Sequence, residues 1–296
     1  MDRLGQGAVY LLFRFLLLVL RIVFALPRVK GIMVWLFQKA IRYRGNVVRS
    51  NLKLAFPEKT EAEIHQISTL FYGHFADLIL QHVEGWGFEE GEWKGAVCFA
   101  PGNALEDYSE KGQSSIVVMG HTGNWEWAGL RASWVQGVQM ATVYKPQRNR
   151  FINRYLLEER SKFGMEQVPM KGVMRFIQTS EKPFCLTFLA DQSGPRDSEF
   201  YPTFFGVETS FFGGWAKIAI RKGLPVLYAG VKKTGVTTYK VHFVPLWDGK
   251  GKMEASKLVQ FFAQKLEDDI RQQPENWLWS HRRWKWRKKV EGIKPR

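Results

Sequence analysis

A histidine and a carboxylate lie five positions apart in the stretch MGHTGNWEW at residues 119–127, as His121 and Glu126, a His-x4-Glu motif. A carboxylate that accepts a hydrogen bond from one ring nitrogen fixes the tautomer of an imidazole, so that the other nitrogen can act as a general base. The residues also have an ordinary structural interpretation, in which His121 is a turn residue and Glu126 only stabilises a helix start through its dipole. From these two residues, both interpretations stay open.

The segments around the motif predict where it lies. The apolar run SIVVM at 115–119 predicts a buried strand, and residues 124–135 predict a helix with Asn124 as its N-cap. Open α/β sheets place their ligand sites at the carboxyl ends of strands, which is where His121 falls. Backbone N–H groups near Gly123–Trp125 would then be available to hold a developing oxyanion.

Other reaction types lack their characteristic residues. Cys185 lies inside an apolar run, where thiols are usually unreactive, and neither a Gly-x-Ser-x-Gly motif nor a glycine-rich phosphate loop occurs. The other histidines show no zinc-ligand spacing, and we expect His74 and Asp77 to be ordinary surface or core residues of a helix. The sequence therefore predicts direct, base-assisted transfer with no catalytic metal and no cofactor.

Strands and helices alternate through most of the chain. Residues 50–86 predict helix, with a capping box at Thr60 and Glu63, and residues 84–113 predict a mixture of short strand and loop. Further strands are predicted at 141–144, 183–190, 225–231 and 239–246, and further helices at 149–163, 173–180, 213–223 and 252–273. This alternation predicts an α/β fold with a mostly parallel central sheet flanked by helices.

The N-terminus is apolar and basic. The segment Leu4–Leu26 is long enough to cross a bilayer as a tilted helix. Arg14 and Arg21 interrupt it and share one helical face, as in a helix that lies in the membrane interface. We therefore expect an uncleaved membrane-anchoring helix, monotopic or single-span, within residues 1–45, and one catalytic domain over residues 46–296. A buried core helix is the alternative.

The net charge of +15 is concentrated at the ends of the chain, with nine lysines and arginines in residues 1–50 and eight in residues 281–296. Basic ends suit anionic partners, namely a phospholipid surface, nucleic acid or an acidic protein. The apolar N-terminus favours the membrane. Four tryptophans among the basic residues of the tail suit a leaflet surface and would equally suit nucleic acid: Trp277, Trp279, Trp284 and Trp286.

Several ordered blocks resemble the late (secondary) acyltransferases of lipid A biosynthesis, the lauroyl and myristoyl transferases of the wider lysophospholipid acyltransferase-like group. Besides the apolar N-terminus, the blocks are NVVRSNLKLAFPE (46–58), GHTGNWEW (120–127), VYKPQRNRFINRYLLEERSKFG (143–164), LADQSG (189–194), FFG (204–206) and PENWLWSHRRWKWR (274–287). The resemblance implies transfer of a fatty acyl chain from a thioester to a hydroxyl group of a membrane glycolipid, with His121 and Glu126 as catalytic residues and residues 46–296 as the acyltransferase domain.

The resemblance also suggests binding residues. Lys145, Asn149 and Arg160 would contact the phosphorylated glycolipid or the phosphopantetheine of the donor, whereas we expect Arg154 on a solvated helix face.

Two further carboxylates and a group of aromatic residues complete the candidate site. Asp191, at a strand end, would order the site loop or assist His121, or it is only a turn residue. Glu199 is a weaker rival as the partner of His121. Four phenylalanines would line a groove for the acyl chain, although clustered aromatics more often form core: Phe204, Phe205, Phe211 and Phe212.

The resemblance implies partners as well. The donor would be an acyl-carrier protein or a coenzyme A thioester, which is a co-substrate and not a cofactor. The acceptor would be a lipid A precursor in the phospholipid bilayer, at the cytoplasmic face of a bacterial inner membrane, and no nucleic acid partner is expected. Two alternatives stay open: the same chemistry on a lysophospholipid, an aminolipid or a phosphoinositide mannoside, and a non-catalytic lipid-binding membrane adaptor. The intact pair of His121 and Glu126 argues against the adaptor.

Overall fold

The computed structural model describes residues 28–85 and 88–288, together with Tyr10, Phe15 and Val19. Apart from those three residues, the expected anchor at Leu4–Leu26 lies outside the described residues. Among the helices that the structure describes, none is both long enough and apolar enough to cross a bilayer. The membrane-anchoring helix and the domain boundary at residue 45 therefore stay predictions.

The described residues form a seven-stranded sheet and a separate two-stranded ribbon. The strands are β1 Val97–Phe99, β2 Ser115–Met119, β3 Gln139–Tyr144, β4 Glu166–Pro169, β5 Phe184–Leu189, β6 Thr203–Phe204, β7 Val207–Glu208, β8 Val226–Lys233 and β9 Tyr239–Trp247. The order in the large sheet is β1-β9-β8-β2-β5-β3-β4. Strands β8, β2, β5, β3 and β4 run parallel, while β9 is antiparallel to β8 and parallel to β1. The mostly parallel sheet is confirmed.

Helices cover both faces of this sheet. They are α1 Val29–Trp35, α2 Gly45–Ala55, α3 Glu61–Glu84, α4 Glu90–Ala96, α5 Ala104–Glu110, α6 Trp125–Ala132, α7 Arg150–Ser161, α8 Val173–Thr179, α9 Gly214–Lys222 and α10 Ala255–Gln272, and a π-helical turn at Leu36–Ala40 extends α1. The predicted capping box of α3 is present, with the Thr60 hydroxyl accepting from the Glu63 N–H and the Glu63 carboxylate accepting from the Thr60 N–H.

The core lies on both sides of β2, which is buried along its whole length. Successive side chains of a strand point to opposite faces, so Ile116 and Val118 pack into the core formed with α2, α3, α9 and α10. Val117 and Met119 pack on the other face with α4 and α6. A strand that is covered on both faces needs a continuous apolar sequence, which explains the run SIVVM.

The segment 84–113 differs from the expected mixture of strand and loop, because it contains the helices α4 and α5 as well as β1. Each helix has only seven residues, too few to show a helical period in the sequence. Local capping stabilises both: the Glu89 N–H donates to the Glu92 carboxylate, and the Asn103 side chain accepts from the Glu106 N–H. The sequence also missed β4, which has four residues.

The tail, residues 274–288, packs into the protein. Trp277, Trp279 and Trp284 are buried in the core, so the expectation that these rings face a leaflet is wrong. The reason is backbone pairing, since Trp277 forms an isolated bridge with Thr122 in the turn after β2. Trp286 is half-buried.

Candidate active site

The sheet brings His121 and Asp191 together. Strands β2 and β5 are parallel neighbours, and Met119 is paired with Leu189 at their carboxyl ends. His121 lies two residues after Met119, and Asp191 lies two residues after Leu189. The two side chains therefore meet at the same edge of the sheet. This edge is where the sequence predicted a ligand site.

The tail holds the turn that carries His121. The Gly123 N–H donates to the Asn276 carbonyl at 2.9 Å, and the Leu278 N–H donates to the His121 carbonyl at 3.1 Å. Gly123 has φ of +53°, and a Cβ at this position would lie 2.7 Å from a methyl carbon of Val231. Only glycine fits this left-handed, crowded position without a shift of its neighbours.

Asp191 binds the imidazole of His121 directly. His121 Nδ1 lies 2.6 Å from Asp191 Oδ1, and the His121 backbone N–H donates to Asp191 Oδ2 at 2.9 Å. The indole N–H of Trp277 donates to the same Oδ2 at 2.8 Å. Because an ionised carboxylate only accepts hydrogen bonds, Nδ1 carries the proton in the neutral ring and Nε2 offers its lone pair. Nε2 lies 3.5 Å from the side-chain nitrogen of Gln192, and His121 lines an open cleft.

This contact shifts the pKa of both groups. Burial would raise the pKa of Asp191, but the charge of His121 and the hydrogen bonds from His121 and Trp277 lower it to about 2. Burial would lower the pKa of His121, yet the charge and hydrogen bond of Asp191 raise it above its ordinary value. Asp191 therefore stays ionised and favours the imidazolium that a general base forms.

The expectation that Glu126 holds the imidazole of His121 is wrong. In the first turn of α6, Glu126 faces α7, and its carboxylate binds Arg160 at two points: Nε donates at 2.9 Å and Nη2 at 2.5 Å. Burial would raise the pKa of Glu126, but Arg160 lowers it, so the carboxylate is ionised. Glu126 lines the same cleft as His121, and its charge also raises the pKa of His121. A catalytic role for Glu126 through this charge stays a prediction.

The predicted oxyanion donors are only partly available. The Gly123 N–H is used by the tail, and Asn124 is buried, with its side chain accepting from the Trp127 N–H and donating to Gln81. Gly123 and Asn124 therefore shape the turn, and neither lines the cleft. Trp125 does line it, with its ring 4.9 Å from that of His121. Trp125 and Glu126 are the first two residues of α6, and the first N–H groups of a helix have no acceptor within the helix. These two N–H groups are therefore the oxyanion donors that are still available.

Other polar candidates have structural partners. Glu199 is exposed and forms an ion pair with Lys217, so it is not the partner of His121. His74 and Asp77 are buried core residues, and Asp77 accepts from Lys233 at 2.8 Å.

A cleft of about 750 Å³ opens in front of His121 and continues beneath α6. Its inner part is apolar and lies between α6 and the sheet, lined by Val117, Met119, Ala128, Ala132, Met140 and Val241. Small side chains on α6 leave this space open. At Gly129 of α6, an added Cβ would meet no atom within 4 Å.

The predicted phosphate-binding residues have different surroundings. Lys145, which follows β3, and Arg160 line the cleft. Asn149 caps α7 by accepting from two backbone N–H groups, and it is absent from the lining of the cleft. Arg154 is exposed and pairs with Glu158 one turn along α7, which confirms the expected helix face.

Most of the phenylalanines expected in the acyl groove are core residues. Phe204, Phe205 and Phe211 are buried in the core cluster that also contains Trp279 and Trp284. Phe212 is 43% exposed and lines the cleft.

The sequence missed two residues of the site. Trp277 anchors Asp191, and His281 lines the cleft while its Nε2 accepts from the Ser193 N–H at 3.1 Å. Burial is the main cause that lowers the pKa of His281. Both residues come from the tail, and the block PENWLWSHRRWKWR was the only available signal.

The sequence is similar to known proteins over most of its length. A sequence profile of the bacterial lipid A biosynthesis acyltransferases matches residues 6–286. The lipid A biosynthesis palmitoleoyltransferase of Escherichia coli is 21% identical over 249 residues, which cover 83% of this chain and 80% of that protein. The lipid A biosynthesis lauroyltransferase of Escherichia coli is 23% identical over 275 residues, 86% of this chain and 83% of the relative.

A relative with a different printed substrate also matches. The phosphatidylinositol mannoside acyltransferase of Mycolicibacterium smegmatis is 24% identical over 192 residues, covering 59% of this chain and 58% of that protein. Because the profile spans nearly the whole chain, this protein belongs to the bacterial lipid A biosynthesis acyltransferase family. It is an acyltransferase, and its family implies an acyl donor and a lipid acceptor.

Proposed function

We propose that this enzyme transfers a fatty acyl chain from a thioester to a hydroxyl group of a lipid A precursor, at the cytoplasmic face of a bacterial inner membrane. The observation that carries the proposal is the His121–Asp191 pair at the mouth of an apolar cleft. The family and the two Escherichia coli relatives support lipid A as the acceptor. The mycobacterial relative supports a phosphoinositide mannoside as the second candidate.

The chemistry follows from the free ring nitrogen. His121 Nε2 removes the proton of the acceptor hydroxyl as its oxygen attacks the thioester carbonyl. Asp191 stabilises the imidazolium, and the negative charge of Glu126 adds to this stabilisation. The N–H groups of Trp125 and Glu126 hold the oxyanion of the tetrahedral intermediate. When the carbon–sulfur bond breaks, the imidazolium returns its proton to the leaving thiolate.

The acyl chain and the carrier of the thioester bind at different parts of the cleft. The acyl chain occupies the apolar space beneath α6, because removal of its methylene groups from water is favourable. Lys145 attracts the anionic carrier of the thioester, an acyl-carrier protein or coenzyme A.

Analysis of cellular lipids tests the function. We expect lipid A from cells that lack this protein to be lighter by the mass of one acyl chain, as measured by mass spectrometry. Restoring the gene should restore the chain, and the mass difference gives its length. Unchanged lipid A together with a lost acyl chain on a phosphoinositide mannoside would instead identify the second candidate.

The length of the accepted chain should depend on Gly129. We expect Gly129→Leu to reduce turnover of long acyl donors more than that of short ones, because the new side chain projects into the cleft without displacing the fold. Turnover of donors of graded length measures this.

Gly91→Leu is the matched control, since Gly91 is exposed on α4, where an added Cβ also meets nothing. If turnover depends on donor chain length in the same way in the two variants, the acyl chain does not bind beneath α6.

A further inference from the structure

A second cavity adjoins the catalytic cleft on the side of the tail. It is an open cavity of about 720 Å³ that shares Ser193, Phe212 and His281 with the cleft. Its charged lining consists of Arg44, Arg282 and Lys285, and we call it the basic cavity. Across the part of the chain that the structure describes, no aspartate or glutamate lines it.

The three cations of the basic cavity have no counter-ion within the described residues. Arg44 Nη1 donates to the Ser280 carbonyl at 3.0 Å, which fixes the guanidinium against the tail and leaves its other N–H groups available. Lys285 Nζ lies 4.7 Å from the centre of the Trp286 ring. Like charges that converge without an acid favour an anion between them. Arg160 differs, since Glu126 already neutralises it.

A phosphate group matches this arrangement. Guanidinium groups bind phosphate through two parallel N–H donors, and an ammonium adds a point charge. The shared wall at His281 places a phosphate in the basic cavity beside the reaction centre without occupying the apolar cleft.

The surroundings of the basic cavity indicate which substrate would carry the phosphate. On the α1 side of Arg44, three apolar side chains are about three-fifths exposed: Ile32 at 60%, Trp35 at 60% and Ile41 at 59%. Exposed apolar and aromatic residues followed by arginines are typical of a surface that meets a bilayer at the level of its headgroups. A lipid acceptor would present its phosphate at this level.

We propose that the basic cavity is the subsite for a phosphate group of the acceptor glycolipid. This inference rests on the proposed function and adds the position of the acceptor. Lys145, the cation assigned to the donor, reaches the cleft from the end of β3, whereas the cations of the basic cavity come from the tail and from the turn between α1 and α2. The two substrates thus approach His121 from different elements.

The test combines a variant with a change in the acceptor. The purified full-length enzyme is assayed with a phosphorylated lipid A precursor and with the same lipid after enzymatic removal of phosphate. For the wild-type enzyme, we expect dephosphorylation to raise the acceptor KM roughly ten- to a hundredfold, in line with hydrogen bonds to charged groups. Arg282→Ala with Lys285→Ala should raise the KM for the phosphorylated acceptor similarly and make dephosphorylation nearly without effect, with the donor KM unchanged.

Arg221→Ala with Lys222→Ala is the matched control, because it also removes two exposed cations, at the end of α9 that lies away from the cleft. It should behave as wild type.

Two results for Arg282→Ala with Lys285→Ala would overturn the subsite. One is a rise in the donor KM. The other is that dephosphorylation of the acceptor changes the acceptor KM as much in this variant as in wild type. The subsite would also be overturned if this variant binds vesicles of anionic phospholipid more weakly but still discriminates between the two acceptors as wild type does. The cations would then bind the bulk membrane. If the wild-type enzyme acylates neither lipid, the proposed function itself fails and the subsite with it.

Discussion

Replacement of His121 by alanine is expected to lower acyl transfer by about 10²–10⁴-fold, the usual contribution of a positioned general base. Among the described residues that line the cleft, no other imidazole is bound to a carboxylate. His281 lines the same cleft, but its Nε2 already accepts from the Ser193 N–H. The measurement is the initial rate of transfer from an acyl thioester to a lipid A precursor.

The same variant should remain folded. Asp191 would keep two donors, the backbone N–H of residue 121 and the indole N–H of Trp277, so the buried carboxylate is not left unpaired. We therefore expect a thermal midpoint close to that of wild type. His65→Ala, at an exposed position of α3, serves as control and should retain full activity. Wild-type turnover by His121→Ala would reject the proposed chemistry.

The core of the fold could be predicted because its strands are buried on both faces. A run such as SIVVM in β2 has to be apolar throughout, and such runs stand out in a sequence. The elements that were missed are short, such as α4 and β4. Their stability comes from caps and neighbouring strands, which leave little periodic pattern in the sequence.

The partner of His121 could not be predicted from spacing along the chain. Glu126 is close to His121 in sequence, but it belongs to a helix that faces Arg160 on α7. Asp191 lies seventy positions away, and only the pairing of β2 with β5 brings it to the imidazole. The tail likewise becomes part of the site through its backbone bridge to Thr122. Candidates at strand ends were the better guide, since parallel strands gather their carboxyl ends at one edge.

Replacement of Asp191 by asparagine is expected to lower transfer by about 10³–10⁴-fold, as expected when the acid of a histidine pair becomes neutral. The amide nitrogen of asparagine would donate to Nδ1 of His121, so the proton of the ring would move to Nε2. The nitrogen that faces the cleft would then lack the lone pair that accepts the proton of the hydroxyl. Trp277 and the backbone N–H of His121 could still donate to the amide oxygen, which keeps the fold intact.

The pH profile distinguishes this role from a merely structural one. A general base works only when unprotonated, and Asp191 raises the pKa of His121 above its ordinary value. In wild type, kcat/KM should therefore fall on the acidic side at a higher pH than an unperturbed imidazole would give. In Asp191→Asn the carboxylate no longer raises the pKa of His121, and burial, which lowers this pKa, becomes the main effect. The acidic limb of the kcat/KM profile should therefore move to lower pH, while the maximal kcat/KM also decreases.

Asp269→Asn provides the comparison, because Asp269 lies 3.2 Å from Nε2 of His242 in a second histidine–carboxylate contact, and neither residue lines the cleft. Profiles of kcat/KM recorded over about pH 5–9 should show the shift in Asp191→Asn and no shift in Asp269→Asn. If the limb stays in place in both variants while activity falls only through lower thermal stability, Asp191 does not act on the imidazole. A shift confined to Asp191→Asn would instead mean that the charge of this one carboxylate sets the protonation of the base, and with it the pH range in which the enzyme acylates its lipid.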